Sequence, residues 1–191
     1  MRAGRIVAVK QAETANTAPT TADRIFDFPD GILLPGLIDL HAHPANSGSV
    51  FGVPPDDRML AYGTTTVLSQ GDAGADNWAT YREETIDGSC TRVRLAISIS
   101  RYGESSDRPC LDDVDWLDVD DCVEAINDGG ALIWGIAVNC SRISCGRTDP
   151  QLALARAVEA AEATGRPLLY GCLLYTSDAA DDTPCVALGG R

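Results

Sequence analysis

Residues 31–43 read GILLPGLIDLHAH, and this stretch decides how the rest of the chain is read. After Pro35 the run from Gly36 to Leu40 is almost continuously apolar, as in a strand buried on both faces. It ends on His41-Ala42-His43. Side chains alternate along a strand, so residues two apart share a face, and the two imidazoles project to the same side. These are the only histidines in 191 residues, and chance would space two histidines this way in about one arrangement in a hundred, which limits the false-positive risk of so short a motif. Two imidazoles at the C-terminal end of a strand can fill two corners of a divalent metal's coordination shell.

Downstream, apolar strands alternate with amphipathic segments. Helices are expected over 55–62, 76–86, 119–127 and 150–164, and strands over 64–69, 92–100, 131–138 and 167–170. Asp149 as N-cap, Pro150 at the first helical position and Gly165 at the close mark the longest helix. The order is β-α four times and then β, which predicts a parallel sheet with right-handed crossovers: an open doubly wound sheet or part of a (β/α)8 barrel. No glycine-rich phosphate loop follows the first strand, and Gly71-Asp72-Ala73-Gly74 is too short to be one. Upstream, Gly4–Val9 and Arg24–Phe28 read as short strands of a small β unit, separated by a loop over 14–21.

Composition narrows the function. With 28 acidic and 15 basic side chains the net charge is -13, and Lys10 is the only lysine. A phosphate-backbone partner needs clustered Lys and Arg, so nucleic acid is excluded as a partner. At 45% hydrophobic and 23% charged the chain has material for a core. No apolar run approaches the length of a membrane span and no signal-like segment follows Met1, so the cytoplasm is the expected compartment. Seven cysteines at irregular spacing, without a CxxC pair, give neither a disulfide framework nor a zinc ribbon. Cys140 and Cys145, near the end of the fourth strand, read as buried thiols rather than ligands. The acidic run 112–121 lacks the glycine and terminal Glu of a calcium loop and reads as a solvated approach to a helix N-terminus. No serine triad can be assembled without a histidine outside the pair.

The last segment stands apart. Residues 172–182, CLLYTSDAADD, resemble the translation of a transposon end used to fragment DNA for sequencing. Residues 172–191 are therefore expected to be an adapter-derived, disordered tail and are set aside. The remainder keeps 25 acids, 14 bases and five cysteines.

The segment 31–43, together with AYGTTTV at 61–67, resembles the amidohydrolase superfamily, and AGADN at 73–77 resembles its deacetylase and dihydroorotase-like branch. The resemblance implies a partial (β/α)8 TIM barrel of about five strands over 35–171, preceded by part of a small β-sandwich over 1–34. It implies a metal-dependent hydrolase of non-peptide amide, cyclic amide or related ester bonds, using a divalent metal, expected to be zinc, to activate water. His41 and His43 correspond to the first-strand metal ligands, and Asp39, two residues earlier, is a candidate to orient one of them. The proton-shuttling aspartate belongs to an eighth strand beyond this chain, so no catalytic residue is expected within it. Ala137 falls where a carboxylated lysine would bridge two metals, and Tyr170 where a fifth-strand histidine would sit. The expected parent acts on a small molecule, has a mononuclear site if any, and is a candidate homo-oligomer, while the fragment itself is expected to be inactive. Two readings stay beside this one: a non-catalytic scaffold or binding protein of the same fold, and a metal-free doubly wound domain in which the histidine pair is accidental.

Overall fold

The computed structural model describes residues 24–105 and 108–171. Residues 24–34 and the body that begins at Pro35 form separate compact units, described here one at a time. In the first, Arg24–Phe28, expected as a strand, is irregular and leads into a turn closed by the Gly31 N–H donating to the Phe28 carbonyl at 2.9 Å. A β-prone run forms a strand only with a ladder partner. Gly4–Val9, the expected partner, lies outside the described residues, as does the segment 172–191.

The second unit is a five-stranded, all-parallel sheet in the order β1-β2-β3-β4-β5. Its strands are β1 (Leu37–Ala42), β2 (Thr64–Gln70), β3 (Arg92–Ser98), β4 (Ile133–Asn139) and β5 (Leu168–Gly171). The sheet curls into half of a barrel. The connecting helices are α1 (Pro55–Arg58), α2 (Trp78–Tyr81, continued as a π-helical turn to Ile86), α3 (Val119–Gly129), α4 (Arg142–Cys145) and α5 (Pro150–Thr164). The expected helix over 55–62 breaks at Met59 into α1 and a 3-10 turn, Leu60–Tyr62, which closes on Gly63 at φ 90°. Helix α5 has its expected ends: the Asp149 carboxylate accepts the Gln151 N–H at 2.9 Å, and Gly165 stops the helix at φ 65°.

Alternation along the strands separates two cores. Val67, Leu95, Ile97, Ile136 and Val138 face the helix layer, where they meet Ile126 and the alanine stripe Ala153, Ala157 and Ala160. Alanines four and three apart let α5 lie close against the sheet. Leu68, Ala96 and Ala137 face the other way and form a thin inner layer with Leu169. Strand β1 departs from expectation: Leu37, Ile38 and Leu40 are exposed, and among the described residues β1 pairs on one side only. No helix among the described residues is long and apolar enough to cross a membrane.

The acidic run also differs from a plain solvated loop. Asp112 accepts the backbone N–H and guanidinium of Arg147, Asp118 caps α3 through the Asp121 N–H, and Asp121 pairs with Arg101.

Candidate metal centre

The C-terminal ends of β1, β2 and β3 converge. At the end of β1, His41 is exposed and His43 half-buried, with Ala42 buried between them, and their ring centroids lie 6.2 Å apart. The chain then leaves as a loop folded back on itself, with the Val53 N–H donating to the His43 carbonyl at 2.9 Å and the Ala45 N–H to the Val53 carbonyl at 3.0 Å.

Two carboxylates reach His43 from the next two strand ends. Gly71, at φ 86°, turns the chain out of β2 so that Asp72 points back into the protein, where it is 1% exposed and accepts the hydroxyls of Ser49 and Ser69. Beyond β3, Gly103 adopts φ 57°, and the Glu104 N–H donates to the Gly71 carbonyl at 3.0 Å, which ties the two turns together. Asp72 Oδ1 and Glu104 Oε2 each lie 3.1 Å from His43 Nδ1. That nitrogen carries at most one hydrogen, and it makes a hydrogen bond with Asp72. Glu104 Oε2 is buried, and the group it faces is the His43 ring. The bond to Asp72 and then that to Glu104 push the His43 pKa up to about 10, against the opposing effect of burial.

The donor atoms of His43, Asp72 and Glu104 lie within 4.8 Å of one another. One imidazole nitrogen with two carboxylate oxygens is a set that zinc accepts and that other divalent ions accept as well, so the residues fit a divalent metal without singling out zinc. Two carboxylates drawn to a single imidazole in a partly buried cluster are the observation that favours a cation here.

The pocket in front of these groups is walled by His41, Gln70, Ser98, Ala137, Asn139 and Leu169, among others, and has room for about 60 Å³. That holds an ion with a few waters and not a substrate. Ala137 does face this pocket, with no lysine in its place. On β5 the pocket is met by Leu169 and Gly171, so alternation turns Tyr170 to the opposite face: the position expected of Tyr170 belongs to its neighbours. Among the described residues the Asp39 carboxylate accepts the backbone N–H of His41 at 3.0 Å, and the carboxylates that meet an imidazole are those of Asp72 and Glu104. Cys140 and Cys145 are buried with their thiols toward the Pro150 and Asn139 carbonyls. The cysteine at the pocket is Cys110, whose thiol burial pushes up to about 12. Asp72 and Glu104 were missed by the sequence reading. Their signal was position, since each lies just past a strand's C-terminal end, the rim at which barrel enzymes place functional groups.

Comparison with known proteins agrees with the fold. No family model matches the chain. It is 29% identical over 145 residues to a deacetylase of Agrobacterium fabrum, covering 75% of this chain and 35% of that protein. It is 28% identical over 131 residues to a deacetylase of Brucella anthropi, covering 68% and 32%. Among solved structures, a dihydroorotase superposes with a TM-score of 0.67 at 25% identity, over 71% of this chain and 43% of that one. The chain is amidohydrolase-like in sequence and in fold. An adenine deaminase shares the fold of this amidohydrolase-like chain with a TM-score of 0.65 at 22% identity, over 73% and 37%. The chain spans about a third of the length of the curated relatives it matches.

Proposed function

We propose that this chain is the N-terminal part of a metal-dependent hydrolase that cleaves carbon-nitrogen bonds of small amides or cyclic amides, or a related ester. The observation that carries the reading is the meeting of His43, Asp72 and Glu104 at three successive strand ends, with both carboxylates 3.1 Å from one ring nitrogen. His41 and His43 supply imidazoles, and Glu104 supplies a carboxylate in a pocket where Ala137 supplies none. These residues would hold a divalent metal, zinc in this proposal, and the chemistry it would supply is a bound water of lowered pKa and polarisation of a carbonyl. Asp72 supplies the second carboxylate, itself held by Ser49 and Ser69. The proton-transferring aspartate and the remaining ligands lie in strands that follow residue 171, in a cytoplasmic parent, and residues 172–191 are adapter sequence.

The test is the uninterrupted gene. The full-length protein is purified, its metal content measured, and hydrolysis of N-acetylated amides and of a cyclic amide followed before and after chelation. The reading expects about one or more metal ions per chain and turnover that chelation removes and zinc restores. Metal below about 0.2 per chain with no turnover favours a scaffold of the same fold, the role to which Ala137 at the pocket wall points.

A further inference from the structure

Three consecutive residues of the loop after β1 each touch one member of the proposed cation-binding trio. The Ser49 hydroxyl donates to Asp72 at 2.6 Å, the Val50 N–H donates to the Glu104 carbonyl at 3.0 Å, and the Phe51 ring lies 5.8 Å from the His43 ring, centroid to centroid. Phe51 is thereby fixed beside the reacting end of the site, yet it remains 62% exposed. What sets Phe51 apart from the exposed Phe26 and Phe28 is that its ring packs beside His43 with one face left open toward a cavity.

Beside it lies a second cavity of about 280 Å³, walled by Val50, Phe51, Pro109, Cys110 and Ile143. It shares the walls Glu104 and Cys110 with the metal pocket, so the two spaces adjoin. The larger has room for part of a small molecule where the metal pocket has none. Its walls are mostly apolar, and Ile143 is 80% exposed. The Arg108 guanidinium at its rim is engaged by Asp112 and by the Trp116 ring at 4.7 Å, so it is not presented for charge recognition. We propose that this cavity is the specificity pocket of the hydrolase, receiving a ring-sized apolar substituent of the amide between Phe51 and Ile143.

The inference rests on the proposed hydrolytic function, and its test separates the two. Binding of N-benzylacetamide and N-methylacetamide to the full-length protein is measured by calorimetry after metal removal, so that neither is consumed, and hydrolysis of both is followed in the zinc-loaded protein. The benzyl amide is expected to bind at least about tenfold tighter, the low end of what burying a phenyl-sized group supplies. Phe51→Ala and Ile143→Ala, both at exposed side chains, are expected to erase that preference while metal content and circular dichroism stay unchanged. Equal binding of the two amides, or a preference that survives both substitutions because other strands close the cavity, overturns the proposal. Intact amides in the loaded protein count against hydrolysis alone, since the binding preference is read independently.

Discussion

Gly103 and Gly63 both hold left-handed backbone, at φ 57° and 90°, yet adding one methyl group has very different consequences at the two positions. At Gly63 a Cβ would meet nothing within 4 Å, so Gly63→Ala costs only the left-handed conformation, roughly 1–2 kcal/mol. At Gly103 a Cβ would lie 2.7 Å from the Gly71 carbonyl oxygen and 2.7 Å from the Ala73 carbonyl carbon. Backbone atoms cannot rotate away, so one turn must shift against the other. That strains the Glu104 N–H bond to Gly71 and the Gly103 N–H bond to Ser100, each worth about 1 kcal/mol. Gly103→Ala is thus expected to cost about 2–4 kcal/mol, roughly twice the cost of Gly63→Ala. It also displaces Glu104 from His43. In the full-length protein the assay is thermal unfolding of both variants together with zinc titration. The expected result is a clearly larger drop in Tm for Gly103→Ala and a weakening of zinc binding for that variant only. Equal drops in Tm with unchanged zinc affinity would refute the claim that the two turns are locked to build the site.

Other expectations follow from named contacts. Asp72→Asn and Glu104→Gln should each weaken zinc binding by about 10–100-fold, whereas Asp39→Asn, which alters only a contact to the His41 backbone, should leave it within about twofold; competition with a fluorescent chelator reads all three. The Asp56 carboxyl is held below its usual range by the Cys90 N–H, the Thr91 hydroxyl and the Thr91 N–H, in that order. A lowered folded pKa stabilises the fold above the unfolded value near 3.8, and that contribution is lost as pH falls through the folded value. The stability gap between wild type and Asp56→Ala, followed by urea unfolding, should therefore be wide at pH 7 and close on acidification below about pH 4. Burial pushes the Cys110 and Cys122 thiols up to about 12. Iodoacetamide at pH 8 should label the exposed Cys90 in the native protein and reach Cys110 and Cys122 only after denaturation, as read by peptide mass spectrometry.

The sequence carried the β-α order well, because burial on both faces leaves a continuous apolar run and each helix carries its own stop signals. Pro150 and Gly165 bound α5 at the residues expected of them. It carried the histidine pair for the same local reason. What it could not carry was long-range convergence: Asp72 and Glu104 stand 29 and 61 positions from His43, and nothing local in Gly71-Asp72 or Gly103-Glu104 says which direction the carboxylate takes. That depends on two left-handed glycines and on one backbone bond between separate turns. Asp39 was the nearer acid and therefore the natural candidate, but its carboxylate folds back on the backbone of its own strand. Arg24–Phe28 shows the converse case, a local β preference without a ladder among the described residues.

The account stands on a cation among atoms of three adjoining strand ends. Crystals of the protein soaked in zinc and measured on both sides of the zinc absorption edge test this directly. An anomalous peak about 2.0–2.2 Å from a His43 ring nitrogen and from an Asp72 or Glu104 oxygen is the predicted result. A peak elsewhere, or none at this position while zinc binds the protein in solution, would contradict it.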